Sequence, residues 1–512
     1  MDRRRAIINI TVGIVFKIIL LILMVVSKSF VVRHLGDEAN GLYSLYTSII
    51  GFLAVANLGI GTAITFNMYK PIVENDHDTV SALYFLYRKF YLIIFVIVVI
   101  LGLAITPFVP LLAKDNTGSI NIYGTYIIFL ISVALTYLFA HKTSLINAYK
   151  DNYITTLITS ISTIIEAVIQ IIVIITTKNF MYFLLVRILA TIINGTITEY
   201  VYKRRYQKFI NGNKEVAEDV KKDVYKYAKG MMYYRLGTTL ISSFDGIIIS
   251  AFVGIVSLGY YSNYLVIVSG VTTLLNLIFS EVTSIVGQLY VKQSKTNYYK
   301  QFKKAYAINF IVGIIFYLGY IAISDNLVIM IFGQNRVIER SIVLIIGINY
   351  FTQFMRRSTT LFKTASGSFY NDRFRPFIEG IVNIILSIIF VNIMGTIGVL
   401  IATVTARLLI TYSYEPHVLF SVSFERDSKK FHLVHYLTPI VFTALVFIYI
   451  YLPLPTINNN ILNLIVKGLL SLVISFSALV FMYLVFKPFR KTVNELFKTL
   501  LSILKSRKKL SK

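Results

Sequence analysis

The 512-residue sequence contains no cysteine and no tryptophan, and only 14% of its residues are charged. Without cysteine, disulfide bonds, thiolate catalysis and cysteine-ligated metal sites are excluded. A soluble domain carries about 25% charged residues, whereas this chain is 56% hydrophobic. Its apolar surface must therefore face lipid as well as a protein core, which excludes an ordinary soluble enzyme.

Long apolar segments occur along the whole chain. A membrane-spanning helix needs about 20 mostly apolar residues, and fourteen segments meet this requirement. The first is too long for a signal peptide, and no hydrophilic stretch is long enough for a catalytic domain. We therefore predict an all-α polytopic membrane protein that is not an enzyme, with spans at 7–32, 41–68, 90–113, 121–147, 153–177, 180–202, 230–253, 258–290, 299–323, 341–366, 374–393, 396–414, 434–452 and 461–486.

The positive charge is large but unevenly placed. The formal net charge of +26 would on its own suggest a nucleic-acid partner. However, 40 of the 50 lysines and arginines fall in alternate segments that comprise the connections between spans and the adjoining span ends, and only five fall in the intervening segments. Cytoplasmic loops of membrane proteins carry this excess, where anionic lipid attracts it. We predict a bacterial cell-membrane protein with both termini cytoplasmic and no nucleic-acid partner.

An eleven-residue motif recurs 218 positions along the chain. Residues 36–46 match residues 254–264 at five positions, which include two glycines and two tyrosines. A shift of 220 places Arg187 on Arg407. These matches predict two parallel six-helix lobes, 1–210 and 230–425, separated by a basic cytoplasmic connector at 211–229 and followed by two extra helices and a basic tail at 426–512. The alternative is that the motif is a common turn between membrane helices.

Several cationic and amide side chains fall inside predicted spans, where such groups usually face protein or water. Lys17 and Lys28 lie three helical turns apart on one face of the first span, although Lys28 could instead reach outward to the interface. A polar stripe on the tenth span predicts a water-lined vestibule, against the alternative of an ordinary basic helix end. The stripe consists of Asn349, Gln353, Arg356, Thr360 and Lys363, and Arg357 lies beside it. The candidate substrate-binding residues are Lys17, Lys28, Arg235, Asn349, Gln353, Arg356, Arg357 and Lys363.

Three carboxylates also fall within spans, namely Glu166, Asp245 and Glu281. Each could form an ion pair with Arg235 or Lys17, or carry a coupling H⁺ or Na⁺. The six histidines are scattered, and no hydrolytic, metal-binding or phosphate-loop motif stands out. We therefore expect no cofactor apart from a coupling ion, and no metal site.

Three segments together resemble a known family. They are Arg33-His-Leu-Gly-Asp-Glu-Ala-Asn-Gly-Leu-Tyr43, Asn57-Leu-Gly-Ile-Gly61, and Asp245 to Gly254 continued through Leu258 to Tyr261. The chain as a whole resembles polysaccharide transporters of the multidrug/oligosaccharidyl-lipid/polysaccharide exporter superfamily, and within it the flippases for lipid-linked O-antigen or capsule units. The resemblance implies a bundle of twelve helices plus two, alternating access, and an undecaprenyl pyrophosphate substrate carrying a short oligosaccharide. Partners would be membrane lipids, a polysaccharide polymerase and glycosyltransferases.

Cationic side chains suit a pyrophosphate, because its anionic oxygens call for Arg and Lys donors. A lipid II flippase would need the same chemistry. A cation-coupled drug exporter of the same superfamily would instead need an acidic cavity. A scaffold for membrane glycosyltransferases would not require charges within the membrane. The sequence leaves the sugar, the coupling ion and the oligomeric state open.

Overall fold

The structure, a computed structural model, describes residues 3–54, 60–210, 212, 216, 218–280, 282–452, 457 and 459–510. These residues form helices and connecting turns and contain no strand, which confirms the all-α class. The helices are α1 (Arg3–Phe30), α2 (Gly36–Leu53), α3 (Ile60–Val73), α4 (His77–Ile105), α5 (Val109–Leu112), α6 (Ile122–Ala148), α7 (Asn152–Thr177), α8 (Phe180–Arg205), α9 (Glu218–Ile248), α10 (Ile255–Ser280), α11 (Val282–Lys292), α12 (Lys295–Ile331), α13 (Arg340–Met355), α14 (Arg357–Ala365), α15 (Arg375–Met394), α16 (Thr396–Ala406), α17 (Tyr412–Val418), α18 (Lys429–Tyr451), α19 (Asn460–Val485) and α20 (Lys487–Leu510).

Among the described residues, twelve segments are long and apolar enough to cross a membrane, so the protein is a multi-pass membrane protein. Two of the fourteen predicted spans do not correspond to a separate segment among these twelve. The span 41–68 begins within a continuous 39-residue segment and passes through residues 55–59, which are not described, and 341–366 is divided at Arg356. The twelve are Val15–Leu53, His77–Leu112, Ile122–Ala148, Asn152–Thr177, Phe180–Arg205, Met232–Val253, Ile255–Asn276, Lys295–Ile331, Arg375–Met394, Thr396–Phe424, Lys429–Tyr451 and Asn460–Val485.

The chain is helical because lipid offers backbone groups no hydrogen-bonding partners, so each span must satisfy its own N–H and C=O groups. Short polar caps start several of these helices. At the start of α4, the Asp76 carboxylate accepts a hydrogen bond from the backbone N–H of Thr79 at 3.0 Å, which satisfies one of the donors left free in a first helical turn. The same type of cap occurs at Asn121, Asn179, Ser294 and Asn459.

The residues group into two compact units. Unit 1 comprises Met1–Val266 with Pro376–Val399, and unit 2 comprises Ile267–Arg375 with Leu400–Lys512. The lobe boundaries drawn from the sequence repeat, 1–210 and 230–425, stay a prediction.

The two copies of the repeated motif have the same local backbone course. A five-residue π-helical segment, Val31–Leu35, precedes Gly36, and another, Ile249–Val253, precedes Gly254. Both glycines then adopt positive φ angles, of 90° and 141°, which residues with a Cβ rarely adopt. An α-helix follows each glycine directly. This shared course supports the internal repeat.

The two copies also pack against each other within unit 1. A Cβ atom on Gly41 of α2 would lie 2.1 Å from the carbonyl oxygen of Ile255. A Cβ atom on Gly259 of α10 would lie 2.8 Å from the carbonyl oxygen of Asp37. The buried Asn40 amide joins the two helices by donating hydrogen bonds to the Gly259 carbonyl at 2.9 Å and to the Asn263 side chain at 3.1 Å. The second glycine of each motif is thus required for close backbone packing.

Candidate functional site

Three of the predicted substrate-binding cations lie in unit 1. The Lys28 ammonium group is partly buried and donates a hydrogen bond of 2.7 Å to the Ser262 hydroxyl, which itself donates to the Gly259 carbonyl. Lys28 is therefore held by the second copy of the repeated motif. Lys17 and Arg235 are exposed. Their role in binding stays a prediction.

Asp245 lies in the interior of unit 1, on α9. Its carboxylate accepts a hydrogen bond of 3.3 Å from the amide of Asn383 on α15, and the Ser387 hydroxyl donates to that Asn383 side chain at 3.2 Å. Glu379, one turn before Asn383, is buried on the same helix. The predicted carboxylate therefore has polar neighbours on α15.

Glu166 on α7 interacts electrostatically with Arg187, a partly buried cation that was identified from sequence only as a marker of the repeat. The Gln170 amide lies 3.4 Å from the Glu166 carboxylate. The Arg187 guanidinium on α8 donates a hydrogen bond of 2.6 Å to the Tyr43 hydroxyl and lies 4.7 Å from the ring centre of Phe129. A cation over an aromatic face is attracted by the ring quadrupole. The third predicted carboxylate, Glu281, lies outside the described residues.

The polar stripe predicted on the tenth span converges on one carboxylate in unit 2. Glu415 of α17 accepts hydrogen bonds from Arg356 Nε at 3.0 Å, from the Thr360 hydroxyl at 2.8 Å and from Lys363 Nζ at 2.7 Å. Three residues of the stripe therefore do share a face, as their spacing predicts. That face contacts an anion on another helix.

A second carboxylate extends this contact into a buried ionic cluster, defined by Arg356, Lys363, Asp372, Arg375 and Glu415. Lys363 also pairs with Asp372, whose two oxygens accept from Arg375 Nε at 2.8 and 3.0 Å. Three cations thus face two carboxylates. Four of the five side chains are at most 1% exposed, and Arg356 is 17% exposed. A cation paired this deeply is not free for a ligand, because removing its partner leaves an uncompensated buried charge.

The remaining stripe residues, Asn349 and Gln353, and the neighbouring Arg357 have different surroundings. Asn349 is buried, and its backbone carbonyl and side-chain oxygens both accept from Arg407, which also donates to the Thr352 hydroxyl at 3.0 Å. Gln353 is exposed, and the partly exposed Arg357 donates to the Asn276 side chain. Among the predicted residues of unit 2, Gln353 is therefore exposed, and Arg356 and Arg357 are partly exposed.

Glu415, Asp372, Arg375 and Arg407 are not among the candidates predicted from sequence. The predicted span 396–414 ends one residue before Glu415, whereas the structure continues this segment to Phe424. Glu415 therefore falls just outside the predicted span. A predicted span that continued through residues 415–424 would have contained Glu415. A single carboxylate in an apolar helical segment would then have been identified as a candidate functional residue.

Spanning helices with ion pairs among them define a multi-pass membrane protein with a charged interior. Among solved structures, the lipid II flippase MurJ in an inward closed conformation is similar with a TM-score of 0.64 and 16% identity, over 92% of this chain and 98% of that chain. An inward-facing multidrug resistance MATE family transporter of the MOP superfamily aligns with a TM-score of 0.58 and 13% identity, over 86% and 99%. A mutant of the Vibrio cholerae MATE transporter VcmN aligns with a TM-score of 0.53 and 12% identity, over 84% and 94%. The fold is thus that of MOP superfamily transporters and flippases.

The family is shown by sequence. A family model described as "Polysaccharide biosynthesis protein" matches residues 3–284, more than half of the 512 residues. The chain belongs to this polysaccharide biosynthesis family, which confirms the resemblance stated from its motifs. A search of curated proteins returns no match.

Proposed function

We propose that the protein is a flippase that moves undecaprenyl-pyrophosphate-linked oligosaccharide units from the cytoplasmic to the outer leaflet by alternating access, for capsule, exopolysaccharide or O-antigen synthesis. The observation that carries this proposal is the match to a polysaccharide biosynthesis family over residues 3–284. The likeness in fold to MOP superfamily transporters supports transport as the mode of action.

The distribution of charge supports an anionic substrate. Among the predicted substrate-binding residues, Lys17, Arg235 and Gln353 are exposed and Arg357 is partly exposed. In unit 2 the carboxylates Asp372 and Glu415 are already paired with cations. Exposed Arg and Lys groups suit the several oxygens of a pyrophosphate.

The proposed location is the bacterial cytoplasmic membrane, with both termini on the cytoplasmic side. The distribution of lysine and arginine between alternate segments supports this orientation. In that membrane, a polysaccharide polymerase and glycosyltransferases are the proposed partners. Asp245, in contact with the Asn383 amide, is the proposed site of coupling to H⁺ or Na⁺.

Lipid II is the second candidate substrate, because a lipid II flippase aligns over 92% of the chain. The two candidates share the pyrophosphate chemistry and differ in the sugar. Deleting the gene in its host separates them. Loss of surface polysaccharide with an intact cell wall, and accumulation of lipid-linked units on the cytoplasmic side, supports the proposal. Wall failure with accumulated lipid II would reverse the ranking.

A vesicle assay compares the substrates directly. Proteoliposomes would be loaded separately with an undecaprenyl-pyrophosphoryl oligosaccharide, with lipid II and with a cationic dye, and translocation would be measured for each. We expect movement of the first alone. Movement of the dye alone would overturn the proposal in favour of a drug exporter.

A further inference from the structure

The last helix, α20, begins directly where the final candidate span ends. α19 closes at Val485, and α20 runs from Lys487 to Leu510. Its first turns pack against α12 and α19. The rings of Phe489 and Phe310 (α12) lie 6.2 Å apart, and the Tyr483 hydroxyl (α19) donates a hydrogen bond of 2.7 Å to the Asn494 side chain. The helix is thus fixed at the point where the chain leaves the bilayer.

Apolar and basic residues occupy different faces of α20. With 100° between successive residues of an α-helix, the apolar positions 489, 493, 496, 497, 500, 503 and 504 fall on one face. Most of the basic positions, including 487, 491, 498, 505 and 509, fall on the opposite face. The helix carries eight Lys and Arg against the single carboxylate of Glu495. Such a helix has the features of one that lies at a membrane surface.

The apolar face of α20 extends beyond the part that packs against α12. Phe497 lies on this face and is 61% exposed. A phenylalanine left in water at that position would lose the benefit of burial, about 25 cal/mol for each Å² of apolar surface. Insertion among acyl chains at the edge of the bilayer would remove that surface from water.

We propose that α20 lies along the membrane surface, with its apolar face in the bilayer edge and its basic face bound to anionic phospholipid headgroups. Two observations favour lipid over a protein partner. The helix follows a span without a linker, which keeps it at the interface, and its excess of seven positive charges complements an anionic leaflet. The proposal does not depend on what the protein transports.

The absence of cysteine allows a site-specific test on the full chain. Leu500→Cys labels the apolar face and Lys498→Cys labels the basic face, about 200° away. Each variant would carry an environment-sensitive fluorophore. The labelled protein would be reconstituted in nanodiscs of phosphatidylcholine, with or without phosphatidylglycerol. Quenching would be measured with a lipid-attached and a water-soluble quencher.

The expected result is a blue-shifted Leu500→Cys label, quenched from the lipid, in discs that contain phosphatidylglycerol. The Lys498→Cys label should remain open to the aqueous quencher. Equal aqueous quenching of both labels would overturn the proposal. A Leu500→Cys label shielded from both quenchers would also overturn it, because the face would then be covered by protein.

Charge variants test the lipid specificity. Replacing Lys505, Lys508 and Lys509 with Gln in the labelled chain should weaken insertion about fivefold per lysine, measured as loss of the blue shift. Replacing the same three residues with Arg keeps the charge and should preserve the shift. Unchanged insertion in the Gln variant, or equal insertion without phosphatidylglycerol, would contradict binding to anionic lipid.

Discussion

Glu415→Gln tests the buried ionic cluster most severely. This substitution keeps the size of the side chain but removes its negative charge. Arg356, Lys363 and Arg375 would then face the single carboxylate of Asp372. The lost partner lies 2.7 Å from Lys363 Nζ and 3.0 Å from Arg356 Nε. We expect a strong loss of stability, because Lys363 and Arg375 are buried and cannot reach water.

The expected magnitude follows from burial. Breaking a buried pair by removing one partner costs about 3–5 kcal/mol, and Glu415 and Lys363 are each 1% exposed. Glu425→Gln supplies a matched control, since Glu425 pairs with Lys295 while the two side chains are 63% and 54% exposed. An exposed pair contributes about 1 kcal/mol or less.

The assay compares thermal denaturation of the purified variants in detergent. The readout is the fraction of protein that remains monodisperse after heating. Glu415→Gln should lower the midpoint by several times the shift of Glu425→Gln. Equal shifts for the two variants would refute the reasoning, because the cluster would then be solvated or dispensable.

Three further outcomes are expected. Gly41→Ala should lower the denaturation midpoint, because its Cβ would meet a backbone carbonyl oxygen at 2.1 Å and overpacking costs about 1–3 kcal/mol. Gly13→Ala, whose Cβ meets nothing within 4 Å, should leave the midpoint unchanged or raise it, and equal losses in the two variants would contradict the packing. Ser262→Ala should cost about 1–3 kcal/mol by removing the acceptor of Lys28, which a midpoint equal to that of the wild type would contradict. Asp245→Asn should abolish any stimulation of transport by a Na⁺ or H⁺ gradient, and preserved stimulation would exclude Asp245 as the coupling site.

The class of fold could be predicted from sequence because it depends on composition and segment length. Apolar segments of about 20 residues identify spanning helices without knowledge of their neighbours. The motif copies at Gly36 and Gly254 were also recognisable, since a repeat preserves spacing. That the copies pack on each other could not be predicted, because shared local structure does not specify contact.

The candidate site was predictable only where it depends on one helix. The spacing of Arg356, Thr360 and Lys363 identified a common face, since positions three and four apart lie together. The partner of that face, Glu415, is more than fifty residues away. Hydropathy cannot distinguish a polar face that meets water from one that meets an opposite charge, so the stripe was interpreted as a vestibule.

The central claim is transport of an anionic lipid-linked oligosaccharide with the help of accessible cations. The most direct measurement is the rate at which proteoliposomes translocate an undecaprenyl-pyrophosphoryl oligosaccharide, with wild-type protein, Arg357→Gln and the control Lys429→Gln. Arg357 is partly exposed and lies outside the ionic cluster, and the Lys429 side chain is 90% exposed. We predict translocation by the wild type and the control, and a rate about tenfold lower for Arg357→Gln, equivalent to about 1.4 kcal/mol. Absence of translocation by the wild type, or an unchanged rate in Arg357→Gln, would contradict the account.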